Sequence, residues 1–204
     1  MKKLLVILCV IILGIFLITK SSSKQDINSN SIILAFGDSI TQGYGAKYDE
    51  SYPSQLSRLL GMTVINSGIS GEVSSLALAR LPNVLALHKP AIVILCHGGN
   101  DILQKQNSQI TKQNLAKMIE IIRQNGAQVV FVGVPALKGF GVSTASFYDE
   151  LATKYDLAYD ENTLEQIIKT PSLKSDQIHP NKDGYLFLAQ NIEKLLRKNF
   201  NFIP

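Results

Sequence analysis

The chain has 204 residues, of which 46% are hydrophobic and 18% charged, with a formal net charge of +4. That length fits one domain plus a short extra segment, and that composition excludes a disordered chain. The charge is no footprint for nucleic acid: residues 1–23 carry three of the 20 basic residues and none of the 16 acids, which leaves +1 for the rest.

The chain starts Met1-Lys2-Lys3, and Leu4 to Ile18 are uncharged and mostly apolar. As a helix this run spans about 22 Å at 1.5 Å per residue, short of the ~30 Å hydrocarbon core. Residues 1–20 therefore read as a signal peptide or an N-terminal membrane anchor, and the protein as exported and extracytoplasmic, secreted or anchored through residues 4–19. Cys9 falls inside the apolar run, so the mature part keeps Cys96 and has no internal disulfide. Residues 21–31 (SSSKQDINSNS) are polar and read as a linker. The domain is expected over residues 32–200.

Strand-like runs follow at 32–37, 62–66, 91–96, 128–134 and, more weakly, 157–160. Three of them are almost continuously apolar, as strands covered on both faces of a parallel sheet must be. Helical periodicity lies between and after them. Residues Ser74 to Leu87 are apolar on one side, with Pro82 expected to kink or restart the helix. Leu115, Met118, Ile119 and Ile122 share a face, with Gly126 as the stop, and Tyr185, Leu188, Ala189, Ile192, Leu195 and Leu196 do the same in a last helix. Repeated β-α units of this kind predict a doubly wound α/β sandwich, in which ligands bind beyond the carboxyl ends of the strands.

The polar, glycine-rich segments fall at those ends: Gly37-Asp38-Ser39 after the first strand, Asn66-Ser67-Gly68 after the second, His97-Gly98-Gly99-Asn100-Asp101 after the third. Asp176-Gln177-Ile178-His179 precedes the last helix. Acyl transfer needs a nucleophile, a base, an acid that orients the base, and donors for the oxyanion. Ser39, His179 and Asp176 can fill the first three roles. The N–H groups of Ser39 and Gly68 and the Asn100 amide can supply the donors, Gly68 letting the backbone come close to substrate. Singly, each piece has a plainer use: Ser39 as a helix cap, Asn-Ser-Gly as a turn, Asp176 as a local cap. Together their roles are complementary.

These four segments, Gly37-Asp38-Ser39, Gly68, Gly98-Gly99-Asn100-Asp101 and Asp176-x-x-His179, resemble the four sequence blocks of SGNH (GDSL-type) hydrolases. "ISGEVSSLALARLP" (69–82) and "HPNKDGY" (179–185) resemble the bacterial acyl-CoA thioesterase I/arylesterase/lysophospholipase branch. The resemblance spans residues 32–197. It implies a flavodoxin-like three-layer α/β/α fold with five parallel strands, and a Ser39–His179–Asp176 triad with Ser39, Gly68 and Asn100 around the oxyanion. It also implies a structural Asp38 and no metal or cofactor.

A monomer acting on a small acyl ester, thioester or lysophospholipid-like substrate is expected, with membrane contact only through the N-terminal segment. An O-acetyl esterase acting on carbohydrate or cell wall is the alternative on the same fold, although the chain has no Trp to stack a sugar. A nucleotide-binding module would lack a P-loop lysine and leave Asp176 and His179 without a purpose. Residues 135–142 stand where the resembling branch has a mobile substrate loop, which makes Leu137 and Phe140 candidate substrate contacts. His97 departs from that branch and is expected to be a buried, hydrogen-bonded side chain.

Overall fold

Five short apolar strands make the sheet that positions everything else. The computed structural model describes residues 24–138 and 141–204. Strands β2 (Ile33–Gly37), β3 (Val64–Gly68), β4 (Ile92–Cys96), β5 (Gln128–Val132) and β8 (Ala158–Asp160) form one parallel sheet in the order β3-β2-β4-β5-β8. Counting only these strands, that is the flavodoxin-like order 2-1-3-4-5, whose switch point lies between β2 and β4. Every residue of β2 and β4 is buried, as their unbroken apolar runs require, whereas the edge strands β3 and β8 are half-buried.

Helices cover both faces. The helices α2 (Tyr52–Leu60) and α8 (Lys182–Asn199) pack together on one face, as right-handed crossovers require. The other face carries α3 (Ser74–His88), α5 (Ser108–Gln124) and α6 (Ser146–Lys154), with α3 packed on α5 and α5 on α6. The stripe expected on α5 is the buried one, and Leu115, Met118, Ile119 and Ile122 are all fully covered. Gly126 follows α5 at φ +82°, a left-handed turn that ends the helix cheaply only without a Cβ.

The structure departs from the sequence reading in two places. Residues 21–31 are not wholly a linker: β1 (Gln25–Asn28) pairs in parallel with β9 (Phe200–Ile203), and Ile27 is buried. One apolar residue among polar neighbours gave no periodic signal, and its partner strand lies at the other end of the chain. The domain accordingly extends beyond 32–200 at both ends. Nor does Pro82 break α3, which runs on through it. Pro82 is exposed, so water can replace the single ladder bond that proline removes.

Short elements complete the carboxyl edge of the sheet. These are α1 (Ser39–Gln42), α4 (Gly99–Leu103), an antiparallel hairpin of β6 (Pro135–Lys138) with β7 (Gly141–Thr144), and α7 (Thr163–Lys169). Among the described residues no helix is long and apolar enough to cross a membrane. The leader or anchor expected over residues 1–20 lies outside the described residues.

Candidate active site

The site is built on the switch point. β2 runs without interruption into Asp38, whose buried carboxylate accepts the Ile40 N–H at 3.1 Å and caps α1. Ser39 is therefore the first residue of a helix, held at the end of the central strand and 8% exposed. The Gln42 N–H closes on the Asp38 carbonyl, and Ile40 is capped by the Asp38 side chain. At the first helical position the Ser39 N–H has no carbonyl one turn back within the helix to bond. Burial pushes the Asp38 carboxyl above its ordinary range, against the opposing pull of His97, the Ile40 N–H and His179.

His179 comes from a loop that is tied to itself before α8 starts. Asn181 caps α8 through Oδ1 and donates through Nδ2 to the Ser172 and Lys174 carbonyls. Gly184 in the first turn admits the Leu173 carbonyl, which a Cβ would meet at 2.1 Å. This places His179 Nε2 at 3.0 Å from Ser39 Oγ and His179 Nδ1 at 2.7 Å from Asp176 Oδ2. The other Asp176 oxygen accepts the Ile178 and His179 N–H groups at 2.9 and 2.8 Å. A carboxylate only accepts, so Nδ1 carries the ring proton and Nε2 is free to take one from Ser39. The Tyr44 ring, half-exposed, stands 4.5 Å from the imidazole centroid to centroid.

The Asp176 side chain is 43% exposed, against 14% for His179. Partial burial pushes its pKa up, and the bonds from the Ile178 N–H and from the ring and N–H of His179 outweigh it, holding the carboxyl below its ordinary range. Those donors, rather than exclusion of water, keep the group ionised and aimed.

Asn100 and Gly68 stand differently. Ser39, Asn100 and His179 line one narrow cavity of about 40 Å³ whose remaining wall is largely apolar: Ile40, Leu103, Val134, Pro135, Ile168 and Ile178. One amide N–H of Asn100 donates to the Glu72 carbonyl at 3.0 Å, which leaves the second available. The described residues lining the cavity do not include Gly68, whose N–H donates to Asn66 Oδ1 at 3.0 Å. Its missing side chain serves packing: a Cβ would fall 2.1 Å from the Gln42 nitrogen. The close passage of α1 over β3 thus gives a reason for glycine here beside the one argued from the sequence. Leu137 lies on β6 opposite Val142, its side chain outside the description, and Phe140 lies outside the described residues.

Sequence reasoning missed the charged groups beneath the site. Arg80 on α3 forms a two-pronged pair with Glu72, both contacts 2.7 Å, donates to Ser67 Oγ and to the Ser67 and Gly37 carbonyls, and lies 4.1 Å above the Phe36 ring. Asp101, buried, accepts from the Ser74 N–H at the start of α3 and from Thr111 Oγ1 at the start of α5. A lone Glu and Arg eight residues apart carry no periodic signal, and only the fold brings both beneath the ends of β2 and β3. His97 is fully buried and hydrogen-bonded. Among the described residues no group of His, Cys, Asp and Glu is placed to hold a metal.

Comparison with known proteins gives the family. Residues 35–186 match the model of the GDSL-like lipase/acylhydrolase family. An arylesterase of Vibrio mimicus is 32% identical over 82% of this chain and 88% of its own. The Escherichia coli K12 protein named thioesterase 1/protease 1/lysophospholipase L1 is 30% identical over 83% and 85%. The solved structure of AlinE4, an SGNH-hydrolase family esterase, superposes with a TM-score of 0.66 at 30% identity, over 84% of this chain and 97% of the other. The chain is an ester hydrolase and belongs to the GDSL-like lipase/acylhydrolase family.

Proposed function

We propose that the protein hydrolyses acyl esters or thioesters through a Ser39–His179–Asp176 triad. Ser39 Oγ attacks the acyl carbonyl as His179 Nε2 takes its proton. The tetrahedral oxyanion accepts from the Ser39 N–H and from the free N–H of Asn100. Gly68 is the third donor of this reading, and its N–H must share itself between Asn66 Oδ1 and the oxyanion. The imidazolium then protonates the leaving alcohol or thiol, and water activated by the same ring releases the acid. Asp176 holds the tautomer throughout. The single observation that carries the reading is the continuous hydrogen-bonded line from Ser39 Oγ to Asp176 Oδ2 at the mouth of an apolar cavity.

The apolar lining favours an aliphatic acyl group over a sugar, in keeping with relatives named arylesterase and thioesterase 1/lysophospholipase L1. The cavity is small, and the acetyl group of the O-acetyl esterase alternative is the smallest acyl group it would have to hold. We read residues 1–20 as an export leader or anchor, with the enzyme outside the cytoplasm. Lys24 and Gln25 lie beside Gln128 and Ala158, the first residues of β5 and β8, at the opposite edge of the sheet from Ser39. An anchored chain would therefore hold its site away from the membrane that tethers it, which favours dispersed esters over lysophospholipids of that same bilayer.

The test is hydrolysis of p-nitrophenyl esters from acetate to palmitate by residues 24–204 and by Ser39→Ala. Loss of activity in the variant, with the parent active on medium chains, supports the reading. Activity on acetate alone moves it to the O-acetyl esterase, and equal rates in both proteins overturn the triad.

A further inference from the structure

We propose that His97 is a positioning residue for Asn100, acting through Glu72; the inference rests on the oxyanion role given to Asn100 above. Between His97 and Asn100 stand Gly98, at φ +104°, and Gly99, which have no side chains to hold their segment. Its conformation must be imposed from outside. The Gly98 N–H donates to His97 Nδ1 at 2.8 Å, and since an N–H can only donate, Nδ1 is bare and the ring proton sits on Nε2. That proton points at Glu72 Oε2, 3.2 Å away. The Glu72 backbone carbonyl in turn accepts the Asn100 amide at 3.0 Å.

The bonds thus close a ring: His97 to the Glu72 carboxylate, the Glu72 carbonyl to Asn100, and the Gly98 N–H back to His97. Three further contacts fix the ring in space. Arg80 donates to both Glu72 carboxylate oxygens, the Tyr148 hydroxyl donates to the His97 carbonyl at 2.7 Å, and Asp101 ties the same loop to the start of α3. Burial pushes the Glu72 carboxyl up, and its bonds to His97 and Arg80 outweigh this and keep it ionised, as an acceptor for both. His97 does not touch the cavity: its part is to hold the Gly-Gly segment and the Glu72 side chain so that Asn100 presents its second N–H to the cavity.

The experiment is a double-mutant cycle on p-nitrophenyl acetate hydrolysis with His97→Leu, Asn100→Ala and the pair. H97L is expected to lower kcat roughly tenfold or more through misplacement of the donor, with KM changed by no more than about twofold. In the Asn100→Ala background it is expected to cost nothing further, because the group it positions is gone. His97→Gln, which can donate to Glu72, and His97→Asn, which can accept from Gly98, should each recover part of the loss. An additive loss in the double variant, or H97L with unchanged kcat, overturns the proposal. Should H97L fail to fold, the same cycle with His97→Asn decides. Full kcat in Asn100→Ala alone overturns the oxyanion reading, and the His97 proposal with it, so the two failures are told apart.

Discussion

The exposure of Asp176 makes two substitutions that remove the same charge differ in outcome. In Asp176→Asn the amide oxygen stays on the Ile178 and His179 N–H groups, because turning it over would set two donors against an NH₂. The amide nitrogen then faces His179 Nδ1, which must give up its proton. The ring proton moves to Nε2, opposite Ser39 Oγ, and the base is blocked. An equivalent wrong tautomer in another serine hydrolase costs about 10⁴ in kcat, or roughly 5.4 kcal/mol. In Asp176→Ala water can reach Nδ1 and leave the tautomer intact. The loss is then the attraction between carboxylate and developing imidazolium across 2.7 Å, which is about 1.5 kcal/mol in bulk water and about 6 at a dielectric constant near 20. With the side chain 43% exposed, the value belongs toward the lower figure, about 2–3 kcal/mol or roughly one and a half to two decades in kcat. The assay is kcat for p-nitrophenyl acetate at pH 8, with melting temperatures as a check on folding. Alanine more active than asparagine by a decade or more is expected. Equal activities, or a more active asparagine variant, would refute the tautomer argument and show Asp176 acting by charge alone.

Three other outcomes are expected. Gly68→Ala drives a Cβ to 2.1 Å from the Gln42 nitrogen, and overpacking of that kind costs about 1–3 kcal/mol, which calorimetry should register as a fall of roughly 2–12 °C in melting temperature; an unchanged value refutes the close contact. Asp176 and Glu72 are held below their ordinary values of 3.8 and 4.5, so the folded state binds fewer protons there. The stability they contribute is complete above those values and is lost as pH falls through the lowered ones, while Asp38, shifted upward, works in the opposite sense. Urea midpoints should fall between about pH 5 and 3, and by less in Glu72→Gln; a parallel fall in both proteins removes Glu72 from the account. Cys96 is buried with its thiol pushed well up, first by burial and then by Asp38. It should resist iodoacetamide in the native protein and react once the protein unfolds; prompt native labelling counts against that packing.

How much of this was legible beforehand depends on whether the signal was local. β2 and β4 announced themselves because strands buried on both faces must be apolar without interruption, and α5 and α8 because their buried stripes repeat along the chain. From repeated β-α units the parallel sheet follows, and from the sheet follows the edge where Ser39, Asn100 and His179 meet. Those conclusions needed only periodicity, turn residues and the chemistry of an acyl-transfer site. Ends of elements were less legible: β3 runs from Val64 to Gly68 rather than from 62 to 66, since an edge strand that is half-buried has a weaker pattern.

What the tertiary structure alone decided are the relations between residues far apart in sequence. That Gln25–Asn28 is a strand depends on a partner some 175 positions away. The exposure of Asp176 beside a largely covered His179 is another such relation. The N–H of Gly68 bonds Asn66 Oδ1, and the purpose of Glu72, Arg80 and His97 appears only when β2, β3, β4 and α3 are assembled around them. A pattern along the chain reports which face of an element is buried; it does not report which buried polar group meets which, because that is set by the distances between elements after they pack.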